Sequence, residues 1–371
     1  MKKLVMVFIT AATILLNCLI GFAAEDSPLL KVTLSDAVSK AMDNDKTARI
    51  KDIEIGIKNK ELDISRKNAQ DPSRTEDIWD EYDALSTPMK RIWKEIIPLE
   101  KEYGVESLQH EKIEYGRELG EKAKYTFYKA LYLSEQEKIA NEKLQLAKKD
   151  FEIVEGKYKL GLVSQISLDE ARIQSFQAEY DYLKTTYDRD NSYDDVRDLT
   201  GLEITWDISL EASDIKQYEL KDYNAEEFIG LIKENYSVYL TALKNKEFQQ
   251  KRYDIYKGIT RYGIDEQELE NEKQLLFAST ELKKVTKDEI IAAYSEYIEL
   301  QNFKYDIEVS NKNLSVLKLK LDAAEKQREM GSITDTDYLK QKNSYEEAHI
   351  KLNQDINEYN YRVGKLLIKI S

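Results

Sequence analysis

Tyr158-Lys159-Leu160-Gly161-Leu162-Val163-Ser164 ends one long helical pattern, and Arg328-Glu329-Met330-Gly331-Ser332-Ile333-Thr334 ends another, 170 residues on from Gly161 to Gly331. Upstream of the first turn, small or apolar residues fall at Ala140, Leu144, Ala147, Phe151, Val154, Tyr158 and Gly161 in strict 4-3-4-3 spacing. The same offset gives Ser310, Leu314, Leu317, Leu321, Ala324, Arg328 and Gly331, so the register holds with Ser310 and Arg328 as its polar exceptions. A pattern of this period is one face of a helix. Its recurrence at a fixed interval marks an internal repeat of helical hairpins.

Working outward, the bulk composition agrees. Charged residues make up 34% of the 371 residues and the mean hydropathy is −0.62, too polar for one large globular core. With 42% apolar residues in periodic order, the chain suits long helices that each bury a stripe and solvate the rest. All four prolines, Pro28, Pro72, Pro88 and Pro98, precede residue 99, so nothing beyond them forbids long helices. A net charge of −14 and a pI near 5.0 argue against nucleic acid as a partner and are the ordinary signature of a solvated acidic surface. Tyr outnumbers Phe by 25 to 9, which on amphipathic helices implies half-buried rings with wet hydroxyls.

The N-terminus reads as a targeting segment, residues 1–24. Lys2 and Lys3 precede an uncharged run from Leu4 to Ala24, with small residues for cleavage around Gly21-Phe22-Ala23. The mature protein is therefore expected outside the cytoplasm. The run is also long enough to remain as an anchor, and Leu15-Leu16-Asn17-Cys18 faintly resembles a lipidation signal, with Asn17 where a small residue is usual. Cys18 is the only cysteine, so the mature chain holds no intrachain disulfide and no cysteine metal site. His110 and His349 lie far apart in helical patterns and read as surface residues. No nucleophile–base set, metal-ligand spacing or phosphate loop is present, so the sequence predicts no enzyme, no cofactor and no metal.

Along the chain, Thr33 or Ser35 caps a first helix carrying Ala37, Val38, Ala41 and Met42, and Asp43-Asn44-Asp45 interrupts it. A second helix follows to about Ser65. The second half opens alike, with Asn224 to Ile232 and then the polar break Lys233-Glu234-Asn235. Helix is expected from about Glu106 to Leu160 and from about Glu266 to Met330. Return helices run to Leu199-Thr200-Gly201 and to about Ile368. Only Ile204 to Leu210 shows strand alternation. Residues 71–106, with Pro72, Pro88, Pro98, Trp79 and Trp93, read as an insertion of short helices and turns; a compact turn near Gly258–Gly263 takes its place in the second half. The fold class is all-α, duplicated coiled-coil-like hairpins with little or no β. The division is 25–201 for the first repeat, 202–220 for a linker and 221–371 for the second.

In this order the motifs resemble the TolC-like outer-membrane efflux family over about residues 30 to 370. Leu34-x-x-Ala37-Val38-x-x-Ala41-x-x-Asn44 is similar to its first helix, Gly161-Leu162-Val163-Ser164 before Leu168-x-x-Ala171 to its first hairpin tip, Leu199-Thr200-Gly201 to the close of its first repeat, and Gly331-x-x-Thr334-x-x-Asp337-Tyr338 to its second tip. The resemblance implies a TolC-type α-barrel protomer, three copies forming a tube that works as the exit duct of an efflux or secretion assembly. Small molecules or peptides would leave through its bore. It also implies a membrane-fusion adaptor and an inner-membrane pump or ABC transporter as partners, with docking at Gly161, Leu162, Val163 and Ser164 and at Gly331, Ser332, Ile333 and Thr334. Asp337 matches a family position at the closed pore mouth, with Asp169 and Glu170 near the same level. Asp337 reads equally as an acid favoured in the first turn of a helix.

The sequence departs from that family at the far end, where two strands per repeat are expected to close a membrane barrel. Strands long enough to span a membrane are not legible here. An outer-membrane location follows from the resemblance, and an extracytoplasmic one on the wall side from the missing strands. Trp79 and Trp93 are either an interfacial anchor or buried helix contacts. Two other functions remain: a non-transport coiled-coil scaffold of the envelope, and an adaptor-like protein, whose strand-rich flanking domains this chain lacks.

Overall fold

The computed structural model describes residues 29–70, 87–211, 214–257 and 266–371. The leader with Cys18, the cleavage site, Trp79 and the turn at Gly258–Gly263 lie outside them. In chain order the elements are β1 (Leu30–Val32), α1 (Leu34–Asn44), α2 (Lys46–Gln70), α3 (Thr87–Glu95), α4 (Ile97–Lys159), α5 (Gln165–Thr200), β2 (Ile208–Leu210), α6 (Ala225–Asn235), α7 (Ser237–Lys257), α8 (Glu266–Val285), a π-helical turn (Thr286–Ile290), α9 (Ile291–Glu329) and α10 (Asp335–Ile370).

The expected all-α architecture is what the chain adopts. α4 has 63 residues and is about 95 Å long at 1.5 Å per residue. It begins at Ile97, earlier than the Glu106 expected from the sequence. Pro98 occupies the helix's first turn, where its missing N–H costs nothing and its fixed φ suits the helix. The helices form a wall one layer thick. In its lower half the lateral order is α5, α4, α10, α9; in its upper half it is α2, α4, α7, α8, with α3 laid across α2, α4 and α7. Ion pairs between antiparallel α4 and α10 fix their relative height: Lys143 with Glu347, Lys342 with Glu142 at 3.3 Å, and Lys340 with Asp150 at 3.8 Å. Both hairpin turns therefore lie at the same end.

The core is concentrated at mid-height. One cluster gathers Phe228, Tyr297, Leu300, Tyr359 and Val363 where α6 packs on α9 and α10; another gathers Val32, Phe127, Ala130 and Val196 where α1, α4 and α5 meet. β1 and β2 pair in parallel beside it, Leu30 opposite Ile208 and Val32 opposite Leu210. The alternation near Ile204–Leu210 was legible, whereas β1 was not: three residues carry too little period to read. Buried Asn360 ties down the segment between the halves, accepting from the Tyr218 amide at 2.7 Å and donating to the Lys216 carbonyl at 2.8 Å.

The polar breaks at Asn44 and Asn235 have a physical role. Asn44 Nδ2 donates to the Asp198 carbonyl (3.3 Å) at the end of α5, and Asn235 Nδ2 donates to the Ile370 carbonyl (3.4 Å) at the end of α10. The Ile370 carbonyl is one a helix end leaves without an intrahelical partner, and the Asp198 carbonyl accepts from Asn44 in addition to the Gly201 amide (3.3 Å). Gly201, at φ 68°, lies directly under Asn44: a Cβ there would be 2.5 Å from Asn44 Oδ1. This explains why a glycine closes Leu199-Thr200-Gly201.

The π-turn was not expected. Buried residues on this strut recur every seven at Ala278 and Val285, and again at Ala293, Leu300 and Ile307, with a step of eight between the two sets. The exposed apolar residues Leu269 and Leu276, then Ile291, Ile298 and Tyr305, carry the same one-residue excess. A π-turn accommodates one extra residue in an α-helix. Both faces thus continue straight through Thr286–Ile290.

Candidate functional site: the hairpin tips and the edges of the wall

Each tip is a helix end reversed by one glycine in the left-handed region, Gly161 at φ 74° and Gly331 at φ 70°. At the first, the Leu162 amide reaches back to the Lys157 carbonyl (2.9 Å); at the second, the Ser332 amide reaches the Gln327 carbonyl (2.8 Å). These are the 6→1 closures of a Schellman turn. Ser164 and Thr334 then cap the return helices by accepting from the amides of Ser167 (3.2 Å) and Asp337 (3.1 Å).

The two tips differ in what they present. Around the first, Leu160 is 75% exposed and Leu162 and Ile166 are each 70% exposed, with Val163 half-buried. Around the second, Met330 is exposed and Ile333 half-buried, and the turn is braced. Arg328 Nε donates to Asp335 at 2.7 Å, its guanidinium lies 4.7 Å from the Tyr338 ring centre, and Ser332 Oγ donates to the Gln327 carbonyl at 2.8 Å. Arg328, a polar exception in the apolar register, is thus the residue that spans the turn.

The three acids occupy separate environments. The carboxylate of Asp337 accepts from Thr334 Oγ1 at 2.8 Å, as a first-turn capping acid does. Asp169 accepts from Gln165 at 3.1 Å and pairs with Arg172 at 3.5 Å, while Glu170 is exposed. Within one chain they do not converge, and among the described residues no group of three or more potential ligands could hold a metal. His110 and His349 are both exposed, the latter stacked on Tyr345 with ring centres 6.3 Å apart.

Sequence reasoning missed the edges of the wall. α5 packs on α4 through Leu168, Ala171, Ser175, Ala178 and Tyr182, the expected stripe. A second stripe, Ile166, Ile173, Phe176, Tyr180, Leu183 and Tyr187, repeats in steps of seven or of three and four and lies exposed. At the opposite edge, α9 exposes Ile291, Ile298, Tyr305, Val309, Val316 and Leu319. Above them, α2 exposes Ile50, Ile53, Ile57 and Ile64, and α8 exposes Leu269 and Leu276. Single exposed apolar residues are ordinary, but continuous stripes at heptad spacing on both edges are those of helices awaiting neighbours. The signal was present as a second period on each edge helix.

The burial of Trp93 favours the helix-contact reading: it is half-buried beside Ile64 and Ile97 in a groove between α2 and α4. Ile92 and Ile96 next to it are buried against Ile255 and Tyr256 of α7. Among the described residues no helix is long and apolar enough to cross a membrane. The expected absence of barrel strands concerns segments that fall partly outside the described residues.

A one-layer helical wall, two same-end tips and jointed mid-height helices can be compared with known proteins. The sequence matches no protein-family model and no curated protein. Solved structures do match. The CmeC outer membrane channel of Campylobacter jejuni aligns with 91% of this chain and 85% of its own, at TM-score 0.59 and 13% identity. The fold is that of the TolC-like outer-membrane channels. CusC, a protein that forms a transmembrane channel, aligns over 91% of this chain and 92% of its own at TM-score 0.62 and 10% identity. The outer membrane protein VceC of Vibrio cholerae aligns over 91% and 94% at TM-score 0.55 and 12% identity. At these identities the likeness to the TolC-like channels is one of backbone and topology, carried by helix order and the two same-end tips.

Proposed function

We propose that this chain is the exit-duct component of an efflux or secretion assembly in the cell envelope. Three copies stand side by side as staves of an α-helical tube. The hairpin tips dock a membrane-fusion adaptor coupled to an inner-membrane pump or ABC transporter, and small molecules or peptides pass through the bore. The two halves arose by duplication, which accounts for the alike turns at Gly161 and Gly331 and the alike caps at Asn44 and Asn235. The observation that carries this reading is a wall one helix thick whose two edges are both apolar and uncovered. A wall of this kind buries those stripes by joining other copies edge to edge, and repetition encloses a lumen. At the tips, Gly161–Ser164 and Gly331–Thr334 form the docking knobs. Asp337, Asp169 and Glu170 ring the mouth when three copies meet, where the gathered negative charge attracts cations.

A scaffold made of solid coiled coil would use the same stripes without leaving a bore. Light scattering and electron-microscopic class averages of the purified chain at micromolar concentration separate the two. Trimeric rings with a central hole are expected; monomers, dimers or filled rods overturn the duct. For docking, deletion of Gly161–Ser164 is expected to abolish capture of the adaptor, and unchanged capture would remove the first tip from the interface.

A further inference from the structure

The edges carry enough detail to fix how one copy sits against the next. Contacts inside the chain set the relative heights of the helices. In the lower half, Glu179 of α5 is level with Lys148 of α4 (3.8 Å). The pairs Lys143–Glu347 and Lys340–Asp150 carry that height to α10, and Lys318 over Tyr345 (5.5 Å) carries it to α9. Tyr180 therefore stands at the height of Lys318 and Leu319 on the far edge of its own chain. In the upper half, Ser237 on Glu114 (2.6 Å) and Tyr236 on Glu289 (3.0 Å) place Glu114 level with the π-turn. Lys101 on Glu61 (2.7 Å) then places Ile64 between Leu269 and Leu276.

The stripes on opposite edges match in spacing. Tyr180 and Tyr187 are seven residues apart, as are Val309 and Val316; Ile57 and Ile64 are seven apart, as are Leu269 and Leu276. With edge helices antiparallel, Tyr180 meets Val316 and Tyr187 meets Val309 when the neighbour's edge is offset along the helix direction by about three residues. The same shift, in the same direction, brings Ile64 to Leu269 and Ile57 to Leu276. At 1.5 Å per residue this is about 4 to 5 Å. Two independent seams satisfied by one displacement are the strongest observation on the edges. The π-turn is a condition of it: without that turn, the extra residue would rotate the α8 stripe about 100° away from the α9 stripe.

We infer that the α2/α5 edge of one copy docks on the α8/α9 edge of a second copy in this register, with Tyr180 on Val316 and Ile64 on Leu269. The contact joins unlike surfaces, so it is heterologous; it closes a ring with no net rise when the helices lean from the ring axis by about 6°, the angle that absorbs the offset across four helices about 10 Å apart. The inference rests on the side-by-side assembly proposed above and adds its register.

The test uses cysteine pairs in the full chain with Cys18→Ser. Tyr187→Cys with Val309→Cys is expected to crosslink copies into a ladder of multimers under mild oxidation, and so is Ile64→Cys with Leu269→Cys. Tyr180→Cys with Val309→Cys, one heptad out of step, is expected to crosslink at least tenfold less. Light scattering of each unoxidised variant reports assembly separately. Multimers that crosslink preferentially through the out-of-step pair overturn the register and leave the assembly standing. Monomers before oxidation overturn both.

Discussion

Deleting Lys287 is the most discriminating perturbation of this fold, because a one-residue deletion in a long helix should ordinarily be ruinous. Lys287 is exposed within the π-turn Thr286–Ile290. Its removal turns the eight-residue step from Val285 to Ala293 into seven and lets the strut run as uninterrupted α-helix with both faces in line. The bulge's own contacts are at risk: Thr286 Oγ1 on the Leu282 carbonyl (2.7 Å) and Glu289 with Tyr236 (3.0 Å) and Lys369 (3.7 Å). At roughly 0.5–1.5 kcal/mol for each hydrogen bond, partly recovered in regular helix bonds, the net loss should stay below about 2 kcal/mol. Deleting exposed Asn313 is the control. Either the residues before it, with buried Tyr297, Leu300 and Ile307, or those after it, with Leu314, Leu317 and Leu321, must then rotate about 100° off the core. Three such side chains at roughly 1.5–3 kcal/mol each come to about 5–9 kcal/mol, as much as a domain's whole stability. Urea unfolding followed by far-UV circular dichroism measures both. Equal losses from the two deletions would refute the role given to the π-turn.

Gly161→Ala and Gly331→Ala each place a side chain in the left-handed region with open space around it, so strain alone is expected, about 1–2 kcal/mol apiece by thermal unfolding. A loss above about 4 kcal/mol would mean the tips are packed rather than free. For pH, Lys101 first and Lys58 second hold the Glu61 carboxyl below its ordinary range. A depressed carboxyl contributes stability above its unfolded pKa, near 4.5, and loses it as pH falls through the folded value. Glu61→Gln is therefore expected to flatten slightly the acid limb of a melting-temperature profile below about pH 4.5 and to leave its slope near neutrality unchanged; an unaltered acid limb would remove Glu61 from the linkage.

The hairpin tips were legible because a glycine at the end of a heptad pattern has few other uses, and both stand in the left-handed conformation. The stripe of Leu168, Ala171 and Ala178 was legible because it faces a helix of the same chain. The exposed stripe of Ile173, Tyr180 and Tyr187 has identical spacing, and periodicity alone does not say which partner covers it. The π-turn escaped because a skipped residue shows only when burial is known on both sides of it. The start of α4 escaped because Pro98 was read as a breaker, although proline is at home in a first turn. Arg328 looked like a flaw in the repeat, and its purpose is visible only once Asp335 and Tyr338 fold back beside it.

The unbroken course of α4 has a mechanical consequence. On either side of it, the wall is jointed at mid-height, where α1 ends at Asn44 against the end of α5 before α2 begins and α6 ends at Asn235 against the end of α10 before α7 begins, and the remaining strut contains the π-turn. A push on the first tip therefore travels up α4 as through a stiff rod, with no joint to absorb it before the α3 end. Any bending of the wall must be taken up instead at the two asparagine joints and the π-turn, which stand at nearly one height and together define a hinge line across the molecule.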